Sequence, residues 1–211
     1  KQFGYKYKDN IDVSRYLQAT ELLSAKEETK EAALLLANYA IEKAEVELES
    51  KKMMVPEYFS ANEWEKNLMS SLGYAKYSLA MVQSKLNIKD AFDNFKSAYE
   101  LTLGKDPEIN FAYSKELVKN GKFSEAQLIL EKDVKLGKIT TEGEEVLKES
   151  YLANKKNKEP FDKYLQGLKA IANAEMISKI KSNLVNIPAI DFKLTDSEGK
   201  TVTLSNTRGK W

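Results

Sequence analysis

Apolar residues recur at steps of three and four along most of this chain. The longest such stripe runs through Trp64, Leu68, Leu72, Ala75, Leu79, Val82 and Leu86. A spacing close to 3.6 residues places these side chains on one face of an α-helix, with polar residues on the other face. Shorter stripes of the same kind continue to about residue 182. The pattern therefore predicts a succession of amphipathic helices.

The predicted helices begin and end at characteristic residues. Three starts carry capping residues: Ser60 with Glu63, Asp106 before Pro107, and Thr141 with Glu144. Such residues satisfy backbone amides that have no partner in the first turn of a helix. Helix ends are marked by Gly104, Gly121 and Gly137. Because the turns between the helices are short, we expect antiparallel helix pairs and an all-α fold class.

The composition removes several kinds of chemistry from these 211 residues. The chain contains no His and no Cys, which excludes a Ser-His-Asp triad, thiol catalysis, disulfides and Cys/His metal sites. Carboxylate-based mechanisms stay open, but no residue pattern points to one. The net charge of +1 argues against a nucleic-acid platform, which needs a concentrated basic face. No apolar run approaches the roughly 20 residues that span a bilayer. We therefore predict no catalytic residue, metal site or cofactor in these residues.

The segment from residue 111 to residue 130 resembles a tetratricopeptide repeat. That family has a unit of about 34 residues, with a Gly-x-aromatic turn and a small residue three positions later, here Gly121, Phe123 and Ala126. A constant interval of 35 residues separates Ala91, Ala126 and Phe161. Asp133 departs from the pattern, which has an apolar residue there. An irregular helical bundle, in which the same residues are ordinary core positions, is the alternative interpretation.

The resemblance to the tetratricopeptide family implies a right-handed stack of helix pairs with a concave binding face. In that family, the first helix of each pair lines the groove that takes a peptide or another domain. Carried over to this chain, the groove residues would be Lys76, Phe111, Lys115, Lys119 and Asn154. The alternative for the lysines is an ordinary solvated helix face.

Residues 187–211 have a different pattern. Phe192 and Leu194 alternate with polar neighbours, as do Val202 and Leu204. Between the two runs lies the segment DSEGK, which contains typical turn residues. Alternation with a period of two on both sides of a glycine-containing turn predicts a β-hairpin.

This terminal segment is similar to the opening of thioredoxin-fold proteins of the TlpA-like thiol-disulfide oxidoreductase and peroxiredoxin (alkyl hydroperoxide reductase and thiol-specific antioxidant) group. The resemblance is carried by a set of residues that includes Pro188, Asp191, Phe192, Gly199, Gly209 and Lys210. Departures from the family pattern fall at Ile190, Asn206 and Thr207. The resemblance implies a catalytic Cys pair soon after the Gly-Lys step, beyond residue 211.

Together, the two resemblances predict a domain organisation and a function. We expect residues 1–183 to form a helical, tetratricopeptide-like domain, and residues 184–211 to be a linker and the truncated opening of a thioredoxin-like domain. The chain would then be a non-catalytic interaction or dimerisation module of an exported, periplasmic or cell-envelope, thiol-disulfide oxidoreductase. Its partner would be a protein or peptide, such as its own thioredoxin-like domain or a second copy of the chain. The alternative is a stand-alone tetratricopeptide-type adaptor for a peptide or protein partner.

Overall fold

The computed structural model describes residues 11–154, 159–184 and 190–207. These residues form eight α-helices and, near the carboxyl end, a two-stranded antiparallel sheet. The predicted class, all-α with a short C-terminal β-hairpin, is confirmed.

The helices follow one another with short connections. In chain order they are α1 (Val13–Ser24), α2 (Lys30–Lys51), α3 (Ala61–Lys85), α4 (Ala91–Leu101), α5 (Pro107–Lys119), α6 (Phe123–Lys135), α7 (Thr141–Ala153) and α8 (Phe161–Asn183). The strands are β1 (Lys193–Thr195) and β2 (Thr201–Thr203), and short 3-10 turns occupy Glu27–Thr29 and Leu204–Thr207.

The chain divides into two compact units, Lys1–Ala172 and Asn173–Trp211. The division falls inside α8, whereas the sequence placed the domain boundary at residue 183, where α8 ends. The first unit contains α1 to α7 and the first half of α8. The second unit contains the rest of α8 and the hairpin.

In the first unit, each helix from α1 to α6 packs against the next one in the chain. In addition, α1 contacts α3, and α5 contacts α7. Side-chain hydrogen bonds join α3 to α5, from Tyr74 Oη to Asp106 Oδ2 at 2.9 Å and from Ser84 Oγ to Glu116 Oε1 at 3.4 Å. The odd-numbered helices α1, α3 and α5 therefore lie side by side.

Three clusters of buried side chains form the core of the first unit. The first joins α1, α2 and α3, the second joins α3 to α6, and the third joins α6, α7 and the start of α8. The landmark residues Ala91 and Ala126 are buried in the second cluster, and Phe161 is buried in the third. Burial of these residues is expected of a helical repeat and equally of an irregular bundle.

Two of the three predicted caps are confirmed, and one is wrong by a residue. Ser60 Oγ accepts from the backbone of Glu63, and the Glu63 carboxylate accepts from the backbone of Ser60. Asp106 Oδ1 accepts from two backbone amides of α5. On α7, however, the cap is Thr140 and not Thr141, because Thr140 has the extended backbone that lets its Oγ1 accept from Gly143 N at 3.1 Å. Thr141 is already the first helical residue.

In the second unit, the hairpin has a regular register, with Leu194 opposite Val202 and Thr195 opposite Thr201. Asp196 closes the turn, since its Oδ1 accepts from Glu198 N at 2.9 Å and from Lys200 N at 2.8 Å. Gly199 has a φ of +80°, a conformation that glycine adopts without steric cost. The predicted turn at DSEGK is therefore confirmed.

Candidate functional site

A trough runs along α3, between α1 on one side and α5 on the other. It consists of a larger pocket of about 490 Å³, bounded mainly by α1 and α3, and a smaller pocket of about 150 Å³ between α3 and α5. Tyr77, Met81 and Lys85 line both pockets, so the two pockets adjoin along α3. We call this trough the α3 groove.

The helical spacing of α3 explains why this helix forms the floor. One stripe of α3 contains Ala75 and Leu79, which are buried in the first core cluster. The adjacent stripe faces the groove and contains Tyr74, Tyr77, Met81 and Lys85. Steps of three and four residues keep these side chains on one face of the helix. The groove therefore follows from a second amphipathic face beside the buried one.

Polar contacts across the groove fix the spacing of the three helices. Lys85 Nζ donates to Ser24 Oγ at 3.0 Å and to Ser24 O at 3.3 Å, which joins the end of α3 to the end of α1. On the other side, the hydrogen bonds that Tyr74 and Ser84 donate join α3 to α5. The groove is therefore pre-formed, with its walls tied to its floor.

The structure brings three of the five predicted groove residues together. Phe111, Lys115 and Lys119 line the smaller pocket. Lys115 Nζ lies 5.9 Å from the centroid of the Phe111 ring, and Lys119 is paired with Glu116. These three side chains form the α5 wall of the groove.

The other two predicted residues lie elsewhere. Lys76 is half-buried on α3 and is not among the residues that line either pocket of the groove. Asn154 follows α7 and lines a separate pocket of about 250 Å³ beside residues 121–125. Its Nδ2 donates to Gln127 Oε1 at 3.4 Å.

The floor of the groove and its α1 wall were not predicted from the sequence. Tyr77, Met81 and Lys85 form the floor, and Gln18 and Glu21 belong to the α1 wall. The spacing of the floor residues on α3 was a usable signal for a second face. No comparable signal identified α1, because its position beside α3 depends on tertiary packing.

Three carboxylates lie near enough to Tyr77 to affect its ionisation. The pKa of Tyr77 is raised to about 12, mainly by burial and to a smaller extent by the negative charges of Glu108, Asp106 and Glu21. The hydroxyl is therefore neutral at pH 7 and can donate and accept hydrogen bonds. The groove thus combines apolar surface at Met81 and Leu17 with hydroxyl and charged groups, which suits binding of an extended chain.

Neither a metal centre nor a membrane-spanning helix is found in the described parts of the chain. Within residues 11–154, 159–184 and 190–207, no cluster of three or more acidic side chains is placed to hold a metal ion. None of the described helices combines the length and apolar character needed to cross a membrane.

The hairpin of the second unit exposes an apolar face. Phe192, Leu194 and Val202 are 46%, 62% and 38% exposed. Of the residues that carry the thioredoxin-like resemblance, Asp191, Phe192 and Gly199 lie in the described part, and Asp191 Oδ1 accepts from Ser205 N at 2.9 Å. Pro188, Gly209 and Lys210 lie outside the described residues.

Comparison of the chain with protein-family models, with curated proteins and with solved structures finds no match.

Proposed function

We propose that the first compact unit is a non-catalytic interaction module of the tetratricopeptide type, whose α3 groove binds an extended segment of another protein. We propose further that the hairpin opens a thioredoxin-like domain, so that the module serves a thiol-disulfide oxidoreductase of the periplasm or cell envelope. The observation that carries the proposal is the pre-formed groove, with a larger pocket of about 490 Å³.

The lining of the groove supports a binding role. Ligand pockets are typically about 300 to 1,000 Å³ and combine apolar walls with a few polar groups. Here Met81 and Leu17 are apolar, while Tyr77, Ser78 and Gln18 offer hydrogen-bonding groups. An extended peptide presents both backbone amides and side chains, so it would use both kinds of surface.

The hairpin supports the thioredoxin-like part of the proposal. A two-stranded hairpin alone is at best marginally stable in water, and its large apolar side chains are exposed here on Phe192, Leu194 and Val202. Apolar side chains that share one exposed face, as these do, offer a surface on which further structure can pack. The resemblance implies that this further structure is the rest of a thioredoxin-like sheet, with the catalytic Cys pair after residue 211.

Peptide selection tests the binding role. A phage-displayed library of random peptides of about nine residues, which span about 30 Å when extended, is selected on the immobilised chain. We expect binding peptides whose affinity is lost in Met81→Glu, which places a charge on the groove floor. Leu128→Glu, at a 66% exposed position on α6, introduces the same charge away from the groove and should bind normally. Gln18→Arg obstructs the groove from a surface position on α1, so its loss of binding is separable from misfolding. Peptides that bind all three variants equally would contradict the proposal.

A second candidate function, the stand-alone adaptor, is favoured by the same groove. The two candidates differ in whether a redox domain continues the chain after the hairpin. The coding sequence downstream of the Trp211 codon separates them. A Cys pair within a few dozen residues supports the oxidoreductase, and continuation without one favours the adaptor. The peptide selection has the same expected result in both cases.

A further inference from the structure

The charged side chains of the α3 groove are sorted by sign. The larger pocket is lined by two carboxylates, Glu21 and Glu108, and one ammonium group, Lys85. The smaller pocket is lined by three ammonium groups, Lys85, Lys115 and Lys119, and one carboxylate, Glu116. One pocket is therefore acidic on balance and its neighbour is basic.

Contacts within the protein leave some of these charges open to a ligand. Glu116 forms an ion pair with Lys119 and accepts a hydrogen bond from Ser84. The charges of Glu116 and Lys119 therefore largely neutralise each other. Within the part of the chain that the structure describes, Glu21, Glu108 and Lys115 form no ion pair. The hydrogen bonds that Lys85 donates go to uncharged oxygens of Ser24.

Helix dipoles explain only part of this arrangement. Carboxylates are favourable in the first turn of a helix and lysines in the last turn, which accounts for Glu108 and for Lys119. Glu21, however, lies in the last turn of α1, where the dipole disfavours a carboxylate. Lys115 lies in the interior of α5, away from either end. The helix dipoles therefore account for neither charge, although Lys115 lies over the Phe111 ring of the same helix.

The spacing of the charges sets a distance for a ligand. Glu108 and Lys115 lie seven residues apart on α5, which at about 1.5 Å per residue is about 10 Å along the helix. An extended chain rises about 3.3 Å per residue. Two side chains about three positions apart in an extended segment would therefore match the two charges, with Tyr77 and Met81 beneath the residues between them.

We infer that the α3 groove selects extended protein segments with a basic residue and an acidic residue about three positions apart. The basic side chain lies against Glu21 and Glu108, and the acidic side chain lies against Lys85 and Lys115. Because opposite charges at both ends must align, the groove also fixes the direction of the bound segment. This inference rests on the binding role proposed above and adds the chemistry of the ligand.

The peptide selection tests the inference through charge reversal. On the unmodified chain we expect enriched peptides to carry a basic and an acidic residue at one fixed separation. Lys115→Glu should lower the affinity for these peptides about tenfold or more. Selection on this variant should instead enrich peptides with a basic residue at the formerly acidic position. Selection on Glu21→Lys should enrich peptides with an acidic residue at the formerly basic position. Lys132→Glu on the exposed face of α6 is the control and should leave the selection unchanged.

The outcomes separate failure of the inference from failure of the binding role. Enriched peptides that need Met81 but show no charge pair would overturn the inference and leave the binding role standing. A selection with no Met81-dependent peptide would overturn both. A dimer of the chain that Met81→Glu dissociates would make a second copy the occupant of the groove, which also overturns the inference.

Discussion

The side-chain amide of Asn110 on α5 holds the buried carboxylate of Asp133 on α6, with Nδ2 at 2.9 Å from Oδ1 and 3.0 Å from Oδ2. The same nitrogen lies 3.0 Å from Gly104 O, in the turn between α4 and α5. An amide nitrogen has two hydrogens, so one serves Gly104 and the other is shared by the two carboxylate oxygens. Asn110 and Asp133 are 1% and 2% exposed. This contact allows α6 to bury a carboxylate at the position where the repeat pattern has an apolar residue.

Removal of the Asn110 amide should be costly. In Asn110→Ala the buried carboxylate loses its hydrogen-bond donor, and we expect the free energy of unfolding to fall by about 2 to 3 kcal/mol, the typical worth of a hydrogen bond to a charged group. Urea denaturation followed by circular dichroism measures the change. Asn67→Ala, at an exposed position of α3, is the control and should change the stability little. Equal stability of the two variants would show that the Asn110–Asp133 contact contributes nothing.

The pH dependence of stability should carry a signature of Asp133. Burial raises the pKa of this carboxyl, although the Asn110 hydrogen bond acts in the opposite direction. The folded state therefore binds the proton at a higher pH than the unfolded chain does, and the contribution of this group to stability increases as the pH falls through the raised pKa. In Asp133→Asn we expect acidification from pH 7 to 4 to destabilise the protein more than it destabilises the unmodified chain.

Asp12 provides a control of opposite sign. Hydrogen bonds from the Ser14 side chain and the Arg15 backbone lower the pKa of this helix cap. The stability that it contributes is present above the unfolded pKa and is lost as the pH falls. The stability difference between the unmodified chain and Asp12→Asn should therefore shrink only as the pH falls below the ordinary Asp pKa of 3.8, whereas the difference for Asp133→Asn already grows above that pH. Parallel pH profiles for the two variants would contradict the assignment.

Two glycines in helices should respond oppositely to alanine. A Cβ at Gly73 on α3 would lie 2.9 Å from Thr102 Cγ2 and 3.1 Å from Leu101 Cβ, so Gly73→Ala should destabilise by about 1 to 3 kcal/mol through overpacking. A Cβ at Gly167 on α8 meets nothing within 4 Å, so Gly167→Ala should stabilise by up to about 1 kcal/mol through helix propensity. Thermal unfolding of both variants measures the signs. A stabilised Gly73→Ala variant would refute the close approach of α3 and α4.

The start of α7 can be located by two neighbouring substitutions. Thr140→Ala removes the oxygen that caps Gly143 N and should cost about 1 kcal/mol. Thr141→Ala changes only the first helical residue and should have little effect on the free energy of unfolding, measured in urea. A larger loss of stability in Thr141→Ala than in Thr140→Ala would show that Thr141 is the cap, as the sequence pattern predicted.

The elements that the sequence predicted correctly depend on local signals. The stripe of α3 and the caps at Ser60 and Asp106 involve residues within one or two helical turns, so spacing alone identifies them. Spacing alone does not decide between Thr140 and Thr141. Both are threonines, which suit a helix cap, and only the backbone conformation shows which of the two is the cap. Asp133 was recognised as a departure from an apolar pattern, but its partner Asn110 lies on another helix and has no signal in the sequence.

The shared helix face of three groove residues was predictable for the same reason. Phe111, Lys115 and Lys119 share one face of α5 by helical spacing, and the structure places them on one wall. Asn154 was assigned to the same groove by carry-over from a repeat family, and the structure places it beside residues 121–125 instead. The opposite wall comes from α1, through the contact of Lys85 with Ser24. Which helices lie side by side is decided by packing across the whole unit.

A methyl NMR titration tests the binding role of the α3 groove most directly. The chain has five methionines, and among them Met81 lines the α3 groove, while Met53, Met54 and Met176 are exposed elsewhere. Chain labelled with ¹³C at the methionine methyl groups is titrated with the tightest peptide from the selection. We expect a saturable shift of the Met81 resonance, with those of Met53, Met54 and Met176 unchanged. A bound peptide that moves one of those three resonances and leaves Met81 unchanged would place the binding site outside the groove.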